Sequence, residues 1–122
     1  MKVLIVDSSA LIVKRLEEML LLTETTKTVY SADSYAAGLD VFGLIKPDVV
    51  LLGISSPDEK SMKLLSSIKM FNNTIPVIIL SLNMTDHLYE QYASMGADFF
   101  LDKYHEFQEI PALIKSIADR KD

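Results

Sequence analysis

The clearest structural signal lies in residues 46–58, which read KPDVVLLGISSPD. The apolar run Val49–Leu52 has no polar alternation, and similar runs occur at Val3–Val6 and Val77–Leu80. Runs of this kind are typical of strands that are buried on both faces, as in a parallel sheet covered by helices. The sequence therefore predicts three central strands of a parallel sheet.

Two weaker strands and five helices complete the pattern. The strands are predicted at Thr28–Tyr30 and Asp98–Leu101, and apolar residues between strands recur every three or four positions, which indicates amphipathic helices. The predicted inward positions are Ile12, Leu16, Met19 and Leu20 in the first helix; Ala37, Val41, Leu44 and Ile45 in the second; Met62, Leu65 and Ile68 in the third, with Leu64 as a further candidate; Leu88 and Ala93 in the fourth; and Leu113, Ile114 and Ile117 in the last, which begins near Pro111.

Strand and helix alternate five times along 122 residues, without repeats or linkers. Alternation of this kind predicts an α/β fold with a doubly wound five-stranded parallel sheet and right-handed crossovers. The length is that of one domain, residues 1–122. Ligands of such sheets bind at the carboxyl ends of the strands, so the residues that follow each strand form the candidate site.

The composition excludes several classes of function. The net charge is −5 and the 12 basic residues are scattered, which argues against direct binding of nucleic acid. The chain has no cysteine, so disulfides, thiolate metal sites and thiol catalysis are excluded. The N-terminal MKVLIV is too short for a signal peptide or a membrane span. We therefore predict a cytoplasmic protein with no membrane association.

Polar and charged residues follow the predicted strands. Asp7 and Ser8 come after the first strand, Gly53 after the third, Ser81 after the fourth and Lys103 after the fifth. Parallel strands bring their carboxyl ends to the same edge of the sheet. A carboxylate, a hydroxyl and an ammonium group are therefore expected to lie close together there.

Four stretches carry a family resemblance: VLIVDSSALI, KPDVVLLGISSPD, IPVIILS and GADFFLDK. In this order and spacing they make the whole chain resemble the receiver domain of bacterial response regulators, in particular the chemotaxis-type single-domain receivers. The resemblance implies a flavodoxin-like three-layer sandwich with strand order 2-1-3-4-5. It also implies two-component (phosphorelay) signalling, in which a phosphohistidine kinase donates a phosphoryl group to an aspartate at the end of the third strand, with Mg²⁺ bound beside it.

The resemblance gives family roles to three residues. Asp7 matches the first acidic residue after strand one, Ser81 the hydroxyl and Lys103 the lysine that meets the phosphoryl oxygens. Two positions depart from the family, because Ser8 stands where a second acidic residue is usual and Gly53 stands where the acceptor aspartate belongs. Glycine has no atom that can attack a phosphoryl group. We therefore predict a pseudo-receiver with a degenerate phosphorylation site.

Two nearby aspartates are weak substitutes for the missing acceptor. Asp58 lies beyond Pro57 on a predicted loop, where attack in line with the leaving group would need a different geometry. Asp48 lies at the opposite end of the same strand. We expect neither to accept phosphate.

Magnesium binding is expected to be lost with the acceptor. Of the family's metal ligands only Asp7 and the backbone carbonyl of Ser55 are left, which is a weak site for Mg²⁺, so we predict no cofactor. The family site carries net negative charge, whereas the charges of Asp7 and Lys103 cancel. We therefore predict that Lys103 bridges directly to Asp7. The alternative is that Lys103 points to solvent, as lysine commonly does.

The resemblance also implies a switch residue and a partner surface. Phe100 matches the family's switch aromatic but lacks a phenolic hydroxyl, so we expect burial to be preferred at all times; the alternative is an ordinary core aromatic. The fourth helix, fifth strand and fifth helix form the usual partner surface of the family. Tyr89, Tyr92 and Met95 would act as binding anchors there if exposed, and as core packing if buried. The expected partners are a histidine kinase or a downstream regulator, or a second copy of the chain in a homodimer.

We predict a domain that acts by protein–protein contact and is not an enzyme. Two alternatives stay open: an inactivated variant or fragment of an ordinary phosphorylatable receiver, and a structural dimerisation module. A nucleotide-binding enzyme on the same scaffold is disfavoured, because neither G-x-G-x-x-G nor G-x-x-x-x-G-K-[ST] occurs in the sequence.

Overall fold

A computed structural model describes residues 1–24, 26, 28–54 and 58–120. Five strands alternate with five α-helices, and a short 3-10 helix precedes the last one. The strands are β1 Lys2–Val6, β2 Thr28–Ala32, β3 Val49–Ile54, β4 Val77–Ser81 and β5 Phe99–Asp102. The helices are α1 Ala10–Leu21, α2 Tyr35–Ile45, α3 Glu59–Phe71, α4 Asp86–Ser94 and α5 Ile110–Arg120.

The strands form one parallel sheet in the order β2-β1-β3-β4-β5. The order reverses at β1, which pairs with β2 on one side and β3 on the other. All residues of β3 and β4, and all of β1 after Lys2, are buried, as expected for strands covered on both faces. The predicted doubly wound sheet and the strand order implied by the resemblance are confirmed.

Helices cover both faces of the sheet and create two cores, because successive strand residues point to opposite sides. On one face, Leu4 of β1 belongs to a buried cluster with Leu65 of α3. On the other face, Ile5 belongs to a cluster with Leu16 of α1 and Ile114 of α5. The result is a three-layer sandwich whose strand ends are left open at the carboxyl edge.

The buried face of α2 differs from the prediction. The inward orientation predicted for Leu44 is wrong, since this residue is 83% exposed, and the buried residues of the helix are Gly38 and Phe42. The physical reason is a close approach of the helix to β1: a methyl group placed on Gly38 would lie 2.9 Å from Cγ2 of Val6. Glycine at this position lets the helix backbone pack on the strand, which turns Leu44 outward.

Several strand boundaries differ from the predicted ones by one or two residues, among them the end of β3 and the start of β5. β3 continues to Ile54, so Gly53 lies inside the strand rather than after it. β5 begins at Phe99, one residue later than predicted, and the carboxylate of the preceding Asp98 accepts a hydrogen bond from the backbone of Val77 at 2.8 Å.

Tyr92 is the buried anchor of α4. Its side chain is fully buried, and its hydroxyl hydrogen-bonds with Ser61 Oγ at 2.8 Å. The prediction that Tyr92 belongs to a partner surface is therefore wrong: a buried tyrosine is stable here because its hydroxyl has a partner inside the core. Within the described ranges, no helix is long and apolar enough to cross a membrane.

Candidate functional site

The candidate residues meet at the carboxyl edge of the sheet. Asp7 follows β1, Gly53 pairs in register with Leu80 of β4, and Lys103 follows β5. Asp7 and Lys103 are both buried, with 3% and 4% of their surfaces exposed. Buried charged residues are uncommon unless they are paired, so their environment decides what this site can do.

Lys103 forms a buried ion pair with Asp7. The distance from Lys103 Nζ to Asp7 Oδ2 is 2.8 Å, and the two side chains are 5% and 1% exposed. The other carboxylate oxygen, Oδ1, accepts a hydrogen bond from the backbone N–H of Ser9 at 2.8 Å. Oδ2 has no partner in hydrogen-bonding geometry among the described residues, so its contact with Lys103 is ionic. The predicted bridge is confirmed, and the alternative of a solvated Lys103 is wrong.

The carboxylate of Asp7 occupies the space that a side chain at position 53 would need. A methyl group placed on Gly53 would lie 2.7 Å from Asp7 Cγ and would overlap Oδ2. Both groups cannot be present without a shift of Asp7. Gly53 therefore does more than lack a nucleophile, because its missing side chain makes room for the buried ion pair.

Tyr35 closes over the same strand from the start of α2. Its hydroxyl donates a hydrogen bond to the backbone carbonyl of Gly53 at 3.0 Å. Burial, together with the negative charges of Asp58 and Asp7, raises the pKa of Tyr35 to about 12, so the phenol stays neutral and can donate. Sequence reasoning missed this residue. Its position two residues after Asp33, beyond the end of β2, was a usable signal, because every strand end points to this edge.

A cavity of about 180 Å³ opens beside these residues. It is lined by Val6, Asp7, Ser8, Asp33, Ser34, Tyr35, Gly53 and Asp58. Asp58 is exposed and acts as the N-cap of α3, since its Oδ1 accepts a hydrogen bond from the backbone of Ser61 at 2.7 Å. The structure thus places the carboxylate of Asp58 at the same cavity as Gly53, with one oxygen already used as a helix cap.

The residues at this edge do not fit a divalent cation. Asp7 gives one oxygen to Lys103 and the other to the backbone of Ser9, Ser8 carries a hydroxyl in place of a carboxylate, and Gly53 has no side-chain ligand. Ser55, whose backbone carbonyl matches a metal ligand of the family, lies outside the described residues. In the described part of the chain, no three acidic or histidine side chains are grouped so that they could hold a metal.

Ser81 and Phe100 lie on the neighbouring strands. Ser81 is buried at the end of β4, and its backbone carbonyl accepts a hydrogen bond from Lys103 N at 2.9 Å. Phe100 is packed against the core but only partly buried, so the preferred burial is incomplete. The reason is its place on β5, an edge strand, where its ring packs against Tyr89 with centroids 4.4 Å apart.

Of the three candidate anchors near α4, one is exposed. Tyr89 is 50% exposed, whereas Met95 is partly buried against the core. Tyr89 and Phe100 together present an aromatic pair at the junction of α4 and β5. Their role as a partner surface stays a prediction.

Comparisons with solved structures agree with the fold. The chain superimposes with a TM-score of 0.87 on a CheY-like receiver domain protein from Methanospirillum hungatei, at 20% identity over 98% of this chain and 94% of that one. A receiver domain protein from Clostridium thermocellum gives a TM-score of 0.85 at 25% identity, covering 98% of this chain and 95% of the other.

Curated relatives and a family model lead to the same family. A protein-glutamate methylesterase/protein-glutamine glutaminase of Koribacter versatilis is 31% identical over 97% of this chain, and a cell cycle response regulator CtrA of Brucella ovis is 27% identical over 98%. The chain spans only 32% and 51% of the lengths of these relatives. Residues 3–115 match the family model of the response regulator receiver domain. The chain therefore belongs to the response regulator receiver domain family.

Proposed function

We propose that this chain is a receiver domain that does not accept phosphate at the end of β3 and that acts by binding another signalling protein. The observation that carries the proposal is the position of the Asp7 carboxylate. It fills the space of the missing side chain at position 53 and is held there by Lys103. An aspartate and a lysine with family roles in phosphoryl transfer are thus engaged with each other.

Electrostatics supports the same proposal. A phosphoryl group carries negative charge and needs Lys103 and a cation to balance it, but the charge of Lys103 is already compensated by Asp7 at 2.8 Å. Mg²⁺ in turn needs carboxylate oxygens, and both oxygens of Asp7 are engaged. The ion pair therefore competes with both ligands of the family reaction, and we propose that the site works without Mg²⁺.

Asp58 is the nearest alternative acceptor and has to be included in any test. It lines the cavity with Gly53, but its carboxylate caps α3 through the backbone of Ser61. Phosphorylation at Asp58 would alter that cap, which is worth about 1 kcal/mol in a typical helix. We propose that Asp58 stays unmodified.

The test is intact-mass spectrometry after incubation with Mg²⁺ and a small phosphodonor such as acetyl phosphate. The unaltered chain is expected to gain no phosphoryl group. The double variant Ser8→Asp/Gly53→Asp is expected to gain one, since it restores both missing carboxylates. The matched control Ser8→Asp/Gly53→Asn has the same side-chain size at position 53 but a weaker nucleophile, and is expected to gain none.

Two outcomes would contradict the proposal. An adduct on the unaltered chain, mapped by peptide analysis to Asp58 or to any other aspartate, would show a working acceptor. A failure of the Ser8→Asp/Gly53→Asp variant to take up phosphate, while circular dichroism shows it folded, would mean that Asp7, Ser81 and Lys103 do not form a dormant receiver site.

A further inference from the structure

A groove between α2 and α3 lies next to the receiver site and is not used by it. Its volume is about 270 Å³, close to the lower limit for ligand pockets. It is lined by Tyr35, Ala36 and Leu39 of α2 and by Lys60, Lys63 and Leu64 of α3.

The floor of the groove is apolar. Leu64 is buried and belongs to the core, Leu39 is 38% exposed, and Ala36 is exposed. An apolar depression between two helices is the surface that accepts a large apolar side chain from an amphipathic helix.

The rim of the groove carries two positive charges. Lys60 and Lys63 are exposed, and their spacing of three residues places them on the same side of α3. Glu59 lies one turn before Lys63, yet neither lysine makes an ion pair with any residue that the structure describes. The feature that sets this pair apart is its place on the rim of an apolar groove, where two positive charges lie beside Leu39 and Leu64.

We propose that this groove binds an acidic amphipathic helix of a partner protein. An apolar residue of that helix would enter between Leu39 and Leu64, and carboxylates on either side of it would meet Lys60 and Lys63. The proposal rests on the proposed function, because it names a surface for the protein contact on which that function depends. The apolar floor favours a peptide over a phosphate-rich ligand, because basic side chains bind phosphate groups and an apolar groove adds nothing to that binding.

Tyr35 links the groove to the receiver site. Tyr35 lines the groove, and its hydroxyl donates a hydrogen bond to the backbone carbonyl of Gly53. A helix bound in the groove would therefore contact Tyr35, which is hydrogen-bonded to Gly53 beside the buried Asp7–Lys103 pair. The proposed binding groove thus lies next to the position that is phosphorylated in the family.

The experiment is an NMR titration of the full chain with a synthetic peptide of about 18 residues, long enough to form a helix. The peptide contains leucines at every third or fourth position with alanine and glutamate between them. Saturable shifts are expected at the amides of Ala36, Leu39, Lys60 and Lys63. Two control peptides replace every glutamate by lysine or every leucine by serine, and both are expected to bind at least about tenfold more weakly, a difference of about 1.4 kcal/mol.

Charge reversal on the protein completes the test. Lys60→Glu/Lys63→Glu is expected to weaken the acidic peptide by about tenfold or more, whereas Lys14→Glu/Lys115→Glu, on α1 and α5, changes the same net charge and is expected to have little effect. Equal loss in both variants, shifts outside α2 and α3, or no saturable shifts would overturn the proposal. None of these outcomes affects phosphate uptake, so failure here is distinguishable from failure of the proposed function.

Discussion

Two aspartate–lysine ion pairs lie at opposite edges of the sheet, and the distances between their charged atoms are almost equal. Asp7 and Lys103 are 2.8 Å apart at the carboxyl edge, and Asp98 and Lys69 are 2.7 Å apart at the amino edge. The side chains of the first pair are 1% and 5% exposed, whereas those of the second are 38% and 11% exposed. The same chemistry therefore operates in two different environments.

The neighbours of the two lysines explain the different roles. Lys69 also donates hydrogen bonds to the backbone carbonyls of Ile75 and Asn73, so it keeps partners without Asp98. Lys103 has Asp7 as its one ionic partner among the described residues. The pair at the amino edge fastens α3 to the sheet, while the pair at the carboxyl edge compensates two buried charges beside Gly53.

The largest expected difference between the two pairs is the loss of unfolding free energy when the lysine of each is replaced. Lys103→Met leaves the Asp7 carboxylate buried without a counter-charge and is expected to lower the free energy of unfolding by about 3–5 kcal/mol. Lys69→Met leaves Asp98 partly in water with its hydrogen bond from Val77, but it also removes the bonds to Ile75 and Asn73, so it is expected to cost about 1–2 kcal/mol. Urea denaturation followed by circular dichroism measures both.

A double variant provides the control for the buried pair. Asp7→Asn/Lys103→Met removes both charges, so it is expected to recover most of the stability lost in Lys103→Met. Equal losses for Lys103→Met and Lys69→Met would show that burial does not distinguish the pairs.

Alanine at two glycines tests whether the carboxyl-edge pair needs an empty position 53. Gly53→Ala is expected to destabilise by about 2 kcal/mol, because the new methyl group would overlap Asp7. Gly43 lies on α2, and a methyl group added to it would meet no atom within 4 Å, so Gly43→Ala is expected to stabilise by about 0.5–1 kcal/mol. A stabilising Gly53→Ala substitution would contradict the packing described for Asp7.

Tyr35 gives a smaller and pH-dependent effect. Tyr35→Phe removes the hydrogen bond to Gly53 and is expected to cost about 1 kcal/mol near neutral pH. Because the pKa of Tyr35 rises from 10.0 to about 12 on folding, this contribution is present below pH 10 and is lost as the pH rises toward 12. Denaturation of both proteins across this range tests the sign, and a difference that grows above pH 10 would contradict it.

Asp102 is the residue whose replacement is expected to change the free energy of unfolding least among these substitutions. It precedes Lys103 but lies near the surface, where the backbone N–H groups of His105 and Tyr104 donate to its carboxylate and lower its pKa below 3.8. Its stabilising contribution is therefore present above that pH and is lost as the pH falls through the lowered value. The stability difference between the unaltered chain and Asp102→Asn should shrink on acidification; a difference that increases would be inconsistent with this shift.

The sequence predicted the three central strands because short apolar runs are typical of strands covered on both faces, and it predicted the sheet from the alternation of these strands with helices. It failed for α2 and α4, where three-dimensional contacts override the helical pattern. Leu44 is apolar yet exposed, since the close approach at Gly38 fixes the rotation of α2. Tyr92 is buried because Ser61 on α3 offers its hydroxyl a partner, which spacing along one helix cannot reveal.

At the site, charge counting predicted the bridge between Asp7 and Lys103, because the loss of two carboxylates leaves one charge of each sign. It could not predict that Asp7 would enter the space beside Gly53, since that depends on side-chain geometry. The hydroxyl of Tyr35 was missed for a similar reason: its partner is a backbone carbonyl, which carries no sequence signal.

A double-mutant cycle between positions 7 and 53 examines the packing of the carboxylate against Gly53 itself. The unfolding free energies of the unaltered chain, Asp7→Ala, Gly53→Ala and the double variant are measured by urea denaturation. If the Asp7 carboxylate fills the space at position 53, Gly53→Ala loses its cost once Asp7 is alanine, and the two effects fail to add by about 2 kcal/mol. Strictly additive effects would mean that the carboxylate lies elsewhere and that the site is open.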